Sequence, residues 1–149
     1  FGAAHRAHAS TEGVAHFLPG AAGLLLEREI NVLSQLLEKP KKPFKVILGG
    51  AKVSDKIGVI ENLLKRANEI LIGGAMAYTF IKAQGGSVGK SLVENDKLEL
   101  ALDILAKAKK AKVKIHLPKD SRCATEIKEG VKSKVFPSNK IPDDYMGLD

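Results

Sequence analysis

The chain has 149 residues and a formal net charge of +7, from 24 Lys and Arg against 17 Asp and Glu. Its 44% hydrophobic and 28% charged residues exclude a disordered chain and predict a globular domain with a sizeable core. No apolar run approaches the roughly 20 residues of a membrane-spanning helix. Cys123 has no second cysteine to pair with, which predicts a cytoplasmic rather than a secreted protein.

In chain order, the first predicted element is a helix over residues 20–38, with an apolar stripe of Leu26, Ile30, Leu33 and Leu37. Residues 44–48 predict a buried strand that ends at Gly49-Gly50. Ser54 is expected to cap the next helix, whose apolar residues are Ile57, Ile60 and Leu64. Residues 70–72 predict a second strand, which ends at Gly73-Gly74.

The second half of the chain continues the alternation. A helix is predicted over 76–83 and a longer one over 94–111, with a stripe of Leu98, Leu102, Leu105 and Ala108. A third strand follows over 113–117, and the tail is expected to be mostly loop, with a short β segment at 134–137. Alternating strands and helices predict an α/β fold with a parallel sheet, in which ligands bind at the carboxyl ends of the strands.

Several motifs can be set aside. Gly89-Lys90-Ser91 resembles the end of a P-loop, but that pattern needs a glycine at position 84, which is Gln. No two glycines are spaced two apart, so the dinucleotide fingerprint is absent. His5 and His8 have no ligand cluster beside them, and no metal site is predicted there. Cys123 is expected to lie in a loop and to have no catalytic role.

The segment from Gly49 to Lys56 is the strongest candidate site. Gly49, Gly50 and Ala51 let a ligand approach the backbone, and the following helix N-terminus offers free N–H groups to an anion. Lys52 and Lys56 are four residues apart, which places both ammonium groups on one helical face. A polyphosphate site and a tight turn with two surface lysines fit this spacing equally well. Gly73-Gly74 would add a second smooth surface beside the first.

The residues 49–57 (GGAKVSDKI) resemble the nucleotide-domain signature of the phosphoglycerate kinase family. The opening FGAAHRAHAST resembles the segment before that family's interdomain helix. LPGAAGLLLEREI, GGAMAYTF, GKSLVE and YMGLD follow in the family's order. The resemblance covers the whole chain and implies a partial, Rossmann-like, doubly wound nucleotide domain preceded by an interdomain helix. It divides the chain into the end of a substrate domain (1–18), the helix and linker (19–40) and part of the nucleotide domain (41–149).

The resemblance also implies site residues. Arg6 corresponds to an arginine that binds the phosphoglycerate substrate. Lys52 and Lys56 correspond to the lysines that meet the nucleotide phosphates and the transferred phosphoryl group, and are the catalytic candidates. The other nucleotide-binding candidates are Gly50, Ala51, Gly73, Gly74, Leu92, Met146, Gly147 and Leu148, the last four forming the adenine slot. Ala75 stands where many relatives have a third glycine.

The implied activity is phosphoryl transfer from 1,3-bisphosphoglycerate to ADP, giving 3-phosphoglycerate and ATP, with Mg²⁺ bound to the nucleotide. The metal-handling carboxylate of the family, its ribose-binding glutamate and most of its substrate domain match no segment here. We therefore expect a piece of a cytoplasmic, monomeric two-domain enzyme that is inactive alone and has no nucleic-acid or membrane partner.

Two other interpretations stay open at this point. One is a non-catalytic nucleotide- or nucleic-acid-binding module, which would use the lysine-rich run at 107–114. That run has no interleaved aromatic residues for base stacking, which favours a solvated helix face. The other is a partly folded chain, because a truncated parallel sheet leaves unpaired strand edges.

Overall fold

A computed structural model describes residues 4–148; Phe1 to Ala3 and Asp149, which lie at the ends of two family motifs, are outside the described residues. The chain divides into two compact units, one up to Lys41 and one from Lys42 onward. No helix within residues 4–148 has the length and apolar character needed to cross a membrane.

The first unit holds a π-helical turn (Ala9–Gly13) and helix α1 (Leu24–Glu38). α1 begins four residues later than predicted, because Gly23 adopts an extended conformation and its carbonyl accepts the first helical bond, from Glu27 N. Of the predicted stripe, Leu26 is half-buried, whereas Ile30, Leu33 and Leu37 are exposed.

The second unit contains a parallel sheet of β1 (Lys45–Gly49), β2 (Glu69–Gly73) and β4 (Lys114–His116), in the order β1-β2-β4. α2 (Ile57–Leu63) connects β1 to β2. α3 (Met76–Ala83), the two-residue β3 (Ser87–Val88) and α4 (Leu98–Lys110) lie between β2 and β4. Parallel neighbours need such crossover connections. The predicted α/β class, its three parallel strands and the bounds of α3 are confirmed.

Strand β1 is not buried as predicted. It forms an edge of the sheet, and its side chains alternate between the core and solvent. Val46 and Leu48 pack against the core, while Ile47 on the opposite face is 80% exposed. A short apolar run does not reveal whether one face or both faces of a strand are covered.

The main core lies between one face of this sheet and the helices. Its fully buried residues include Ile60 of α2, Ile70 of β2, and Met76 and Phe80 of α3. The predicted stripe of α4 is partly wrong, because Leu102 is 45% exposed. The buried residues of α4 are Ala101, Ile104 and Ala108. The small side chain of Ala101 is fully enclosed beside α3. The spacing of the leucines alone does not show how close the neighbouring helix lies, so it does not predict which residues of α4 are buried.

The tail forms more sheet than predicted. β5 (Asp120–Ala124) pairs antiparallel with both β6 (Lys134–Pro137) and β8 (Met146–Gly147), and β7 (Lys140–Ile141) pairs with β3. The β segment at 134–137 is confirmed, whereas β5 was expected to be loop. Cys123 lies in β5 and is fully buried, and this burial raises the pKa of its thiol. A neutral buried thiol is consistent with a packing role.

A lysine, a glutamate and a histidine meet on the outer face of the parallel sheet. Glu69 of β2 lies between Lys45 Nζ, 3.2 Å from its Oε1, and His116 Nε2, 2.8 Å from its Oε2. Hydrogen bonds from Lys45 and then His116 lower the pKa of the Glu69 carboxyl below its usual 4.5. The ionised carboxylate therefore stabilises the folded chain.

We predict that Glu69→Gln makes the free energy of unfolding less dependent on pH in the acid range. A carboxyl whose pKa is lower in the folded state contributes stability above its unfolded pKa, and that stability is lost as pH falls through the folded pKa. The free energy of unfolding in urea, measured from about pH 6 to about pH 3, should fall less steeply in Glu69→Gln than in the unmodified chain. Glu126→Gln, at an exposed glutamate, is the control; equal slopes in both variants would contradict the prediction.

Candidate functional site

The two glycine pairs lie side by side at the carboxyl edge of the parallel sheet, as predicted. Gly49 is paired in register with Gly73. One residue further, the backbones of Gly50 and Gly74 touch: a Cβ on Gly74 would lie 2.9 Å from Gly50 O and 3.0 Å from Gly50 N. Gly74 also has a φ of +68°, a conformation that residues other than glycine rarely adopt. Backbone packing therefore explains why position 74 is glycine.

Gly49 and Gly73, in contrast to Gly74, have no neighbouring backbone packed where a side chain would lie. A Cβ on Gly49 or Gly73 would meet nothing within 4 Å, so this part of the edge is open. Ala75 has φ −60° and ψ −28°, which is ordinary helical geometry. Alanine therefore adopts this backbone conformation without strain.

The Lys56 side chain lies over this glycine edge. A Cβ on Gly50 would be 3.7 Å from Lys56 Cε and equally far from Met76 Sδ, so Lys56, Gly50 and Gly74 form one continuous patch. Lys52 is exposed and precedes the 3₁₀ turn Ser54–Lys56. Lys52 and Lys56 therefore do not share a helical face as predicted, because Lys52 follows the exposed Ala51 in an irregular loop.

The helix N-terminus beside these lysines is already occupied. The carboxylate of Glu94 accepts hydrogen bonds from Val53 N (2.6 Å), Ser54 N (3.1 Å) and Ser54 Oγ (2.6 Å). Two predictions are thus wrong: Ser54 does not cap α2, and the amides of Val53 and Ser54 are not free for an anion. A carboxylate from 40 residues further along the chain satisfies them instead.

The environment of Glu94 keeps it ionised. Partial burial alone would raise the pKa of its carboxyl, but the hydrogen bonds from the Ser54 side chain, the Ser54 amide and the Val53 amide outweigh burial and lower it. Sequence reasoning missed Glu94, because its partners are remote and no local spacing connects them. The only sequence signal is an acidic residue directly after the apolar pair Leu92-Val93.

The two segments predicted to form the adenine slot are joined by one hydrogen bond. Leu92 is 59% exposed, and its neighbour Ser91 accepts a bond from Gly147 N through Oγ (2.9 Å). A Cβ on Gly147 would overlap the Tyr78 hydroxyl, so the segment Met146–Leu148 packs directly on α3. The structure thus brings Leu92 and the Met146–Leu148 segment together.

Gly89-Lys90-Ser91 serves as a connector in this region. Lys90 N donates to Tyr145 O (2.8 Å), and a Cβ on Gly89 would collide with the carbonyls of Pro142 and Tyr145. The segment therefore packs against the chain itself, which agrees with setting the P-loop aside.

Arg6 belongs to the first unit, where it is exposed and its carbonyl accepts hydrogen bonds from His8 N (2.9 Å) and Thr11 Oγ1 (2.8 Å). The glycine edge and the lysines belong to the second unit.

The lysine-rich run is largely surface. Lys107 Nζ lies 2.7 Å from both Glu61 Oε1 and Asp103 Oδ2, and the hydrogen bonds that it donates, first to Asp103 and then to Glu61, raise its pKa. Its charge is therefore compensated locally. Within residues 4–148, no group of three or more His, Cys, Asp or Glu side chains is placed to hold a metal ion.

A parallel α/β unit with a smooth glycine edge and adjacent lysines defines a class of phosphate-binding or nucleotide-binding domains. The comparisons narrow this class. The family model described as phosphoglycerate kinase matches residues 1–149, and the chain therefore belongs to the phosphoglycerate kinase family.

Individual relatives agree with this assignment. The chain is 59% identical over 149 residues to a phosphoglycerate kinase of Thermus thermophilus and 57% identical to that of Finegoldia magna. It superimposes on the Coxiella burnetii phosphoglycerate kinase structure with a TM-score of 0.87 and 43% identity, and on the Pyrococcus horikoshii structure with 0.69 and 28%. Each match covers 98–100% of this chain and 38% of the relative. The chain therefore spans well under half the length of these relatives.

The contact between Gly50 and Gly74 yields a prediction about stability. Gly74→Ala combines a left-handed φ with a Cβ pressed against backbone atoms, and we expect it to lower the free energy of unfolding by about 1–3 kcal/mol. Gly73→Ala is the matched control, because its Cβ would meet open space. Urea unfolding of both variants tests this; similar losses at the two positions would contradict the packing role of Gly74.

Proposed function

We propose that the protein carrying this chain is a phosphoglycerate kinase, which transfers a phosphoryl group reversibly between 1,3-bisphosphoglycerate and ADP, a kinase with a carboxyl-group acceptor. The family match over all 149 residues carries the proposal. The patch formed by Lys56, Gly50 and Gly74 supports it, because a cation beside bare backbone suits a polyphosphate.

Lys52 and Lys56 are assigned to the phosphates. Phosphoryl transfer needs alignment and cations around a charge-rich transition state more than covalent participation by the protein. Neither lysine forms an ion pair within the described residues, which leaves both charges available for a ligand. The smooth backbone of Gly50 and Ala51, with Gly73 and Gly74 beside it, would let the nucleotide lie close to the sheet edge.

The exposed side chain of Leu92 and the segment Met146–Leu148 are assigned to the adenine ring. An apolar base needs apolar walls held at a fixed separation, and the bond between Ser91 and Gly147 N supplies that constraint here. Arg6 is assigned to the phosphoglycerate substrate, because its guanidinium is exposed and can bind a carboxylate or phosphate.

Mg²⁺, when bound to the nucleotide, would offset phosphate charge. The described residues contain no carboxylate cluster that fits a magnesium ion, so no residue of this chain is assigned to the metal. We also propose a monomeric cytoplasmic protein whose partners are its small-molecule substrates, without nucleic acid or membrane.

Nucleotide binding tests the lysine assignment. Calorimetry at low salt should detect weak ADP binding by the chain, and Lys52→Ala/Lys56→Ala should reduce the affinity about tenfold or more, because charge-assisted bonds to phosphate are lost. Lys109→Ala/Lys110→Ala removes equal charge from exposed residues of α4 and should leave ADP affinity unchanged. No ADP binding, or equal losses in both double variants, would refute the assignment.

Activity is tested in a hybrid protein in which this chain replaces the matching 149 residues of the Thermus thermophilus relative. A coupled assay should show turnover of 1,3-bisphosphoglycerate and ADP by the hybrid and none by the 149-residue chain alone. Lys52→Ala/Lys56→Ala in the hybrid should lower kcat/KM by about a hundredfold or more. A folded hybrid that binds ADP without turnover would contradict the proposed activity.

A further inference from the structure

Glu94 connects three parts of the candidate site. Its carboxylate binds the backbone between Lys52 and Lys56, through the amides of Val53 and Ser54. Its own amide donates to Thr79 Oγ1 (3.1 Å), in the middle of α3, and Thr79 is fully buried. It follows Leu92, the proposed adenine contact, by two residues. Glu94 thus links the loop that carries Lys52 and Lys56 to the buried helix α3 and to the segment that contains Leu92.

From this geometry we propose that Glu94 is the positioning residue that fixes the loop carrying Lys52 and Lys56 for binding nucleotide phosphates. This inference rests on the proposed function. Both lysines are attached to the backbone that Glu94 holds, and Lys56 N itself donates to Val53 O (2.9 Å) to close the turn. Without the carboxylate, the Val53 and Ser54 amides lose their acceptor and the turn loses its anchor.

The position of Glu94 has a second consequence. Its negative charge satisfies the amides at the start of the turn, so a phosphate group does not need to bind them. The lysine side chains then supply the attraction for phosphate, while the carboxylate acts only on the backbone behind them. A positioning residue of this kind should affect binding of the phosphates and leave binding of the base almost unchanged.

The test compares ADP with adenosine, which lacks phosphates. Calorimetry on the chain should show that Glu94→Ala weakens ADP binding about tenfold, the loss expected for a charge-assisted hydrogen bond, with less than about a twofold change for adenosine. Glu94→Gln keeps an acceptor oxygen and should recover most of the ADP affinity. Glu126→Ala, at an exposed glutamate, is the matched control and should change neither affinity.

A double-mutant cycle shows whether Glu94 acts through the lysines. In the Lys52→Ala/Lys56→Ala background, Glu94→Ala should have almost no further effect on ADP affinity. An equal effect in both backgrounds, or equal losses for ADP and adenosine, would overturn the positioning role.

Amide hydrogen exchange supplies a readout without nucleotide. Exchange at Val53 and Ser54 should accelerate in Glu94→Ala, while exchange in β2 stays unchanged. Unchanged exchange at both amides overturns the inference even if the chain binds ADP. Failure of the unmodified chain to bind ADP would instead refute the assignment of Lys52 and Lys56 to the phosphates, and with it the role given to Glu94.

Discussion

The burial of α3 is the constraint on which the rest of the second unit depends. Six of its eight residues are buried, from Met76 to Ile81. A helix enclosed on nearly all sides cannot shift without disturbing every element around it. Its neighbours include the sheet edge, the connector before α4 and the end of the tail, and each of these carries a part of the candidate site.

Three successive contacts along α3 fix these parts. Met76 N donates to Gly50 O (2.9 Å) at the start of the lysine loop. Tyr78 packs against Gly147, and Thr79 Oγ1 accepts the bond from the Glu94 amide. The loop that carries Lys52 and Lys56, the segment 91–94 and the segment Met146–Leu148 are therefore positioned against one rigid element, in addition to the bonds that join them directly. Such an arrangement holds residues that are far apart in sequence at defined separations.

The sequence predicted the features that depend on local pattern. The parallel strands, the bounds of α3 and the adjacency of Gly49-Gly50 and Gly73-Gly74 all follow from short apolar runs and glycine pairs. The family resemblance, carried by motifs in order, is confirmed by the family match. The assignments of Lys52, Lys56 and Arg6 to ligands remain predictions, because they concern contacts with ligands rather than contacts within the chain.

What the sequence could not predict depends on long-range partners. Ser54 has the chemistry of a helix cap, yet its hydroxyl donates to Glu94, because a remote carboxylate satisfies the same amides more strongly. The exposure of Ile47 reflects an uncovered sheet face, which no local run reports. β5 contains Asp120, Ser121 and Arg122 and lacks an apolar run, but pairing on both sides makes it the central strand of its sheet.

Charge shows the same distinction between local composition and spatial arrangement. The densest run of lysines is at 107–114, but Lys107 is compensated by Glu61 and Asp103, and Lys114 is aligned across the sheet with Glu69. Lys52 and Lys56 do not belong to a dense run of lysines. They have no ion-pair partner among residues 4–148, and they lie beside the open backbone of the glycine edge. A ligand phosphate gains most where a cation is not already paired, since displacing an existing partner costs the interaction it replaces. Lys109 and Lys110 also form no ion pair among the described residues, so unpaired charge beside open backbone, rather than unpaired charge alone or the net value of +7, favours the glycine edge as the proposed site for an anionic ligand.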